Sequence, residues 1–224
     1  MSSLTFALFL LFGVGAFSLS LLGHKNYQST TMYALAIGGV VNANYFNAVT
    51  APIECFGLPF GIDSLIYTLF AFCVMVMLLN DTKKSAYLLA ISSVIAILFS
   101  AFMELIAVLF ASGSSADIWV RFASFMISAF ASIVAVCVTV EIIDRIKNKY
   151  SPYVCMALGI TLITILNSGI YYPLSLLIAS NDRLWVYVGT SFIGKAIALV
   201  YSVVALKILN ILKARSAQKE KTAS

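Results

Sequence analysis

The sequence is poor in charge. Lys, Arg, Asp and Glu make up only 10% of its 224 residues, whereas an average soluble domain carries about 25%. Hydrophobic residues make up 62%, and a soluble fold of this length could not bury that much apolar surface. An ordinary soluble domain is therefore excluded. The net charge of +5 does not predict nucleic-acid binding either, because the cations are not gathered on a polar module with exposed aromatic residues.

Histidine and cysteine are also scarce. His24 is the only histidine, and the four cysteines form no CxxC pair. A zinc site or a serine–histidine triad would lack its parts. The string from Gly189 to Lys195 matches G-x-x-x-x-G-K, but Ala196 follows where a phosphate-binding loop needs Ser or Thr, and no strand precedes it. We therefore predict no enzyme, no metal site and no cofactor.

Long apolar stretches account for nearly the whole chain. A helix needs about 20 apolar residues to cross a bilayer, and the segments of suitable length are Leu4 to Gly23, Met32 to Thr50, Gly61 to Asn80, Ala86 to Ser112, Phe122 to Ile142, Tyr153 to Ala179 and Leu184 to Leu209. We predict an all-α fold, a polytopic integral membrane helical bundle of six to seven transmembrane helices in one domain over residues 1–212. The number of spanning helices is six if the second stretch, which contains three asparagines, enters the membrane and returns to the same side.

The cations lie at the ends of these stretches and favour one side. Eleven of the fourteen fall in segments on one side, whereas Arg121 and Arg183 fall on the other. By the positive-inside rule the first side is cytoplasmic. We predict a multi-pass protein of the cell membrane (plasma or inner membrane) with a cytoplasmic C-terminus. Residues 213–224 are predicted to form a short, disordered basic tail. The N-terminus is outside with seven spans and inside with six.

Charged residues inside the predicted spans are candidates for function, because a charge in hydrocarbon is costly and usually faces the bundle interior or water. Lys195 stands ten residues after Trp185 and twelve before Lys207, too far from either surface to reach it readily. Glu104 lies about 12 Å inside the outer end of its span. A pair between Glu104 and Lys195 would let each charge compensate the other, either as a structural ion pair or as part of a substrate or proton site; the sequence leaves open whether they pair.

Uncharged polar residues add to this set. Asn44, Asn47, Thr50 and Glu54 follow spacings of 3, 3 and 4, which places them on one helical face running toward the outer surface. The predicted solute-binding residues are Asn44, Asn47, Glu54, Asp63, Tyr67, Glu104, Asn167, Tyr171 and Lys195. Nearly all of them fall in the outer half of the predicted bundle, which indicates an outward-opening polar pocket. The alternative is that such groups only hold helices together, and the stripe Ser124, Ser128 and Ser132 predicts close helix packing.

Three segments resemble the vitamin uptake transporter family, which includes the queuosine precursor transporters. The first runs from Asn42-Ala43-Asn44 through Cys55-Phe56-Gly57-Leu58-Pro59-Phe60-Gly61 to Ile66-Tyr67-Thr68-Leu69-Phe70. The second is Ser191-Phe192-Ile193-Gly194-Lys195, similar to the lysine-bearing last span of the family, and Lys83-Lys84-Ser85-Ala86 resembles its basic loop. The resemblance covers about residues 33–210 and implies a transporter of small heterocyclic solutes.

Two functions follow as hypotheses. The first is a membrane transporter, or the substrate-binding subunit of one, that imports a small polar or heterocyclic solute such as a queuosine precursor or vitamin. Its partners would be the lipid bilayer, the small-molecule solute and an ATP-hydrolysing or signalling protein. The second is a non-transporting membrane sensor or assembly subunit that acts through a cytoplasmic partner by way of the basic tail.

Overall fold

The computed structural model describes residues 29–49, 53–55, 58–60, 62–111, 116–178, 192–193, 195–197, 199–204, 207–208 and 211. This part of the chain is a helical bundle, as predicted. Its elements are α1 (Ser29–Val49), β1 (Ile53–Cys55), β2 (Leu58–Phe60), α2 (Ile62–Asn80), α3 (Lys83–Ala111), α4 (Ala116–Ile146), α5 (Pro152–Ile178) and a last helical segment, α6 (Lys195–Val204). The predicted span Leu4 to Gly23 and the tail 213–224 lie outside the described residues.

Short polar connections separate the helices. Only Asp81 and Thr82 lie between α2 and α3, and the Thr82 hydroxyl accepts a hydrogen bond from the backbone N–H of Ser85 at 3.1 Å. Ser151 caps α5 in the same way, accepting from the N–H of Val154 at 3.4 Å. Side-chain oxygens at these positions satisfy N–H groups that have no partner inside a helix. These caps explain why α3 and α5 begin where they do.

The helix α2 is the centre of the bundle and packs against α1, α3, α4 and α5. Every residue from Thr68 to Leu78 is buried, and those from Phe70 to Leu78 are at most 2% exposed. A helix that is apolar all round lies either in a protein core or in a membrane. The continuous apolar run of α2 is therefore compatible with its central position.

Glycine permits close contact between α2 and its neighbours at two positions. A Cβ atom on Gly159 of α5 would overlap the side chain of Met75, which is fully buried in α2. A Cβ atom on Gly39 of α1 would lie 3.1 Å from Cγ2 of Ile66. Residues without side chains at these points let α1 and α5 approach the central helix closely.

The outer surface of the bundle is apolar. On α3 the exposed large hydrophobic residues recur every three or four positions, at Leu88, Ile91, Ile95, Phe99, Phe102 and Ile106. Among the described residues, three helices are long and apolar enough to cross a membrane, Lys83–Ala107, Trp119–Ile146 and Pro152–Ile178. A soluble monomer rarely exposes so large an apolar surface. The surface and the helix lengths agree in indicating a membrane-associated protein.

A short β-hairpin follows α1, and it corrects one prediction. The strands β1 and β2 pair in antiparallel orientation, with Glu54 opposite Pro59. Because α1 ends at Val49, Glu54 is not on a helical face with Asn44 and Asn47. The reason lies in Pro52, which has no N–H to donate and disfavours a helical conformation in the residue before it.

Candidate functional site

A set of polar side chains crosses the interior of the bundle from α2 to α6. Tyr67 of α2 is hydrogen-bonded to the Ser128 hydroxyl of α4. One turn further along α4, Ser132 accepts a hydrogen bond from the Asn167 amide of α5 at 3.2 Å. The adjacent Ser168 accepts one from the Lys195 ammonium of α6 at 2.7 Å. We call these six residues the polar seam.

Helix geometry explains how the seam passes from one helix to the next. Ser128 and Ser132 are four residues apart and therefore share one face of α4. Neighbouring residues of a helix point about 100° apart, so Asn167 reaches α4 while Ser168 reaches α6. The three seam serines are 5% exposed or less, and the side chains of Tyr67, Asn167 and Lys195 are half-buried.

Aromatic rings surround the charged end of the seam. The Nζ atom of Lys195 lies 5.9 Å from the ring centroids of both Tyr172 and Phe192. Tyr171 packs against Tyr172 in an edge-to-face pair with centroids 5.4 Å apart. An ammonium group at this distance from a ring face is attracted by the ring's quadrupole. The seam thus combines hydroxyl groups, one amide, one cation and aromatic faces.

The seam lies well inside the helices. Ser128 is about 18 Å along α4 from its first residue, Ala116, at 1.5 Å per residue. Asn167 is about 16 Å from Ile178, the last residue of α5, and about 22 Å from Pro152, the first. The end of the bundle that contains Arg121 is therefore nearer to the seam than the end that contains Lys83. We call these two ends the Arg121 end and the Lys83 end.

Three of the predicted site residues, Tyr67, Asn167 and Lys195, belong to the seam, and Tyr171 packs beside it. Ser128 and Ser132 were predicted only as packing residues, and both carry seam hydrogen bonds. Ser124 bonds the Val120 carbonyl of its own helix. The side chains of Asn44, Asn47, Glu54 and Asp63 lie outside the described part of the structure.

Glu104 and Lys195 do not pair with each other in the structure. Glu104 of α3 instead forms a salt bridge with Arg121 of α4, at 3.5 Å. The helices α3 and α4 are antiparallel neighbours, so the end of one lies beside the start of the other. The two residues line a shallow crevice at the Arg121 end, with Ala101, Leu105, Phe122 and Phe125. Glu104 therefore lies at the end of the bundle, apart from the seam.

A second polar group, which the sequence analysis missed, occupies the Lys83 end. The Lys83 ammonium lies 2.7 Å from Glu141 and 3.8 Å from Asp144. Asp144 also pairs with Lys147 at 2.8 Å, and the Tyr87 hydroxyl donates to Glu141 at 2.6 Å. We call these five residues the charged cluster. Its charged side chains are partly exposed, by 27% to 45%.

A sequence signal for the charged cluster exists. Glu141 and Asp144 are three residues apart at the end of α4, and Lys83 opens α3. Two antiparallel helices joined by a short connection place the start of the first beside the end of the second. Lys83 and Lys147 contributed to the predicted orientation of the chain, and Lys83 also to the resemblance to a basic loop, but the two carboxylates were given no role.

Buried hydroxyl groups without a hydrogen bond mark further polar positions. Within the described residues, the side chains of Ser93, Thr139 and Ser175 are buried and have no partner. Thr139 is seven residues after Ser132 and so lies on the same face of α4 as the seam. Buried polar groups normally have a partner, so these hydroxyls are available to water or to a bound molecule.

Metal-binding side chains are not assembled in the part of the chain that the structure describes. No group of three His, Cys, Asp or Glu residues there is close enough to hold an ion. The chemistry available to the seam is therefore hydrogen bonding, cation attraction and ring stacking.

Comparisons with protein families, with curated proteins and with solved structures found no match for this chain.

Proposed function

We propose that the chain is a polytopic membrane transporter, or the substrate-binding subunit of one, and that it imports a small polar or heterocyclic solute such as a queuosine precursor or a vitamin. The observation that carries this proposal is the polar seam, which joins four helices in the interior of a mainly apolar bundle. Transporters commonly bind solute near the bilayer midplane, between helices.

The outer surface and the lengths of the helices support the membrane setting. The helix α5 has 27 residues and is about 40 Å long, which exceeds a hydrocarbon core of about 30 Å. With the predicted span Leu4 to Gly23 and the six described helices, the chain would cross the membrane seven times. The positive-inside rule would then place the Lys83 end in the cytoplasm and the seam nearer the outer surface.

The side chains of the seam suit a heterocyclic solute. Hydroxyl and amide groups can donate and accept hydrogen bonds at the edge of a ring, and the rings of Tyr171, Tyr172 and Phe192 offer faces for stacking. The Lys195 ammonium would attract an acceptor atom of the solute. Binding sites of this kind combine apolar and aromatic walls with a few polar groups that set orientation.

The buried hydroxyls suggest a route from the seam toward the Lys83 end. Thr139 lies on the same face of α4 as the seam serines, on the side toward the Lys83 end, and Ser93 is fully buried in α3. A solute that left the seam would meet these hydroxyls next.

The alternative is a membrane sensor or assembly subunit, in which the polar seam only holds helices together. The observation that favours it is that Tyr67 and Asn167 already have serine partners, as polar residues between membrane helices often do. Under this alternative the basic tail contacts a cytoplasmic partner. Deleting Lys213 to Ser224 would then remove the partner, whereas solute binding at the seam would be unchanged.

Thermal unfolding of the purified protein with vitamins, deazapurines and nucleobases tests the proposal. A ligand that binds only the folded state raises stability by RT ln(1 + [L]/Kd), so one of these solutes should raise the melting temperature. Lys195→Met, which removes the charge and keeps a linear side chain, should abolish that rise while the variant still folds. If no solute stabilises the protein, or if Lys195→Met responds like the wild type, the proposal fails.

A further inference from the structure

The Lys83 end of the bundle carries more positive charge than its carboxylates neutralise. Residues 81–84 and 141–149 contain five cations and three carboxylates. Two of the cations, Lys83 and Lys147, belong to the salt bridges of the charged cluster. The other three, Lys84, Arg145 and Lys149, are exposed and form no salt bridge within the described residues. The third carboxylate, Asp81, is exposed beside them.

The charged cluster brings the chain positions of these three cations to the same end of the bundle. Its contacts between Lys83 and the carboxylates of α4 hold the start of α3 beside the end of α4. Lys84 and Arg145 are the chain neighbours of the paired residues Lys83 and Asp144. Lys149 stands in the turn that follows α4, where its N–H donates to the Ile146 carbonyl at 2.8 Å. The turn is therefore fixed by backbone hydrogen bonds.

Tyrosine residues mark the same level of the bundle. Tyr33 near the start of α1 donates to the Ser85 carbonyl at 3.2 Å, and Tyr87 belongs to the charged cluster. Tyr150, which is 55% exposed, and Tyr153 lie at the start of α5. Tyrosine is enriched where a membrane protein crosses the headgroup layer, because its ring is apolar and its hydroxyl is polar.

We propose that Lys84, Arg145 and Lys149 form a binding site for the headgroup phosphate of an anionic phospholipid. The three exposed cations complement the negative charge of the lipid, and the nearby tyrosines lie at the depth of its headgroup. Basic pockets between membrane helices bind anionic lipid headgroups in this way. The salt bridges of the charged cluster position the site and leave its three cations available. The proposal is independent of solute transport.

The experiment measures the thermal unfolding of the full chain in nanodiscs of phosphatidylcholine, with and without phosphatidylglycerol. Phosphatidylglycerol should raise the melting temperature of the wild type, and high salt should reduce this rise. Replacing Lys84, Arg145 and Lys149 together by Gln should weaken lipid binding by roughly tenfold or more and remove most of the rise. The charge-matched control replaces Lys213, Arg215 and Lys219 of the tail by Gln, and it should keep the rise.

Three outcomes would overturn the proposal. In the first, the melting temperature of the wild type does not depend on phosphatidylglycerol. In the second, the tail variant of Lys213, Arg215 and Lys219 loses as much of the rise as the variant of Lys84, Arg145 and Lys149. In the third, inorganic phosphate in phosphatidylcholine nanodiscs raises the melting temperature as much as the lipid does. The second outcome would mean general charge attraction, and the third a soluble anion. If the triple variant of Lys84, Arg145 and Lys149 is unstable in phosphatidylcholine alone, the single variants Lys84→Gln and Lys149→Gln replace it, because both residues are exposed. Each single variant should show a smaller rise in melting temperature with phosphatidylglycerol than the wild type.

Discussion

The polar seam and the charged cluster both join helices through polar side chains, but they use different chemistry. The cluster stands at the end of the bundle, where each ion pair is partly exposed. The seam lies in the interior and consists of hydroxyl and amide groups, with Lys195 as its one charged residue. Full charge is inexpensive where water reaches it and costly where water does not. A cation in the interior is therefore the exception that points to function.

The largest effect on stability should come from the helix packing between the seam and the Lys83 end. Gly159→Ala would drive a Cβ atom into the buried Met75 side chain, whereas Gly169→Ala on the same helix meets nothing within 4 Å. Overpacking costs about 1 to 3 kcal/mol, and Ala stabilises an exposed helix position by up to about 1 kcal/mol relative to Gly. We expect Gly159→Ala to lower the melting temperature and Gly169→Ala to leave it unchanged or raised. Equal effects would show that the contact between α2 and α5 is not tight.

A double-mutant cycle on Asn167 and Ser132 tests the seam itself. Replacing Asn167 and Ser132 by Ala, singly and together, should give a coupling free energy of unfolding of about 0.6 kcal/mol, and no more than about 1.7 kcal/mol. Because neither group is charged, the coupling should not change with salt concentration. Unfolding in detergent at low and high salt measures it, and a marked salt dependence would contradict a neutral interior seam.

The same cycle on Lys83 and Glu141 should give the opposite response to salt. Both side chains are more than one-third exposed, and such pairs contribute about 0.2 to 1 kcal/mol. Replacing each by Gln should show a small coupling at low salt that fades as the salt concentration rises. The double charge reversal, Lys83→Glu with Glu141→Lys, should restore part of the free energy of unfolding that either single reversal loses. If the coupling free energy persists at high salt, the pair is less accessible to water than the exposure of its side chains indicates, and this prediction is wrong.

The sequence predicted the helices well and the partners of their side chains poorly. The predicted span Gly61 to Asn80 differs by one residue from α2, and Tyr153 to Ala179 by one residue at each end from α5, because apolar length and polar breaks are local signals. The sequence left open whether Glu104 and Lys195 pair, because helix order in space is not a local property. The pairing of Ser132 with Asn167 depends on the rotation of two helices, which a pattern of small residues does not specify.

The hairpin after α1 shows a further limit. The predicted helical face ran past Pro52 to Glu54. Proline limits helices through a clash with the preceding turn, so the end of α1 before Pro52 was predictable, while strand pairing over only three residues on each side was not.

The most direct test of a solute-binding seam compares two serines on one helix. Ser132 takes part in the seam, whereas Ser124, two turns away, bonds the carbonyl of Val120 in its own helix. For a solute identified by thermal unfolding, uptake into proteoliposomes should fall several-fold in Ser132→Ala and stay at the wild-type rate in Ser124→Ala. Wild-type uptake by both variants would contradict the account.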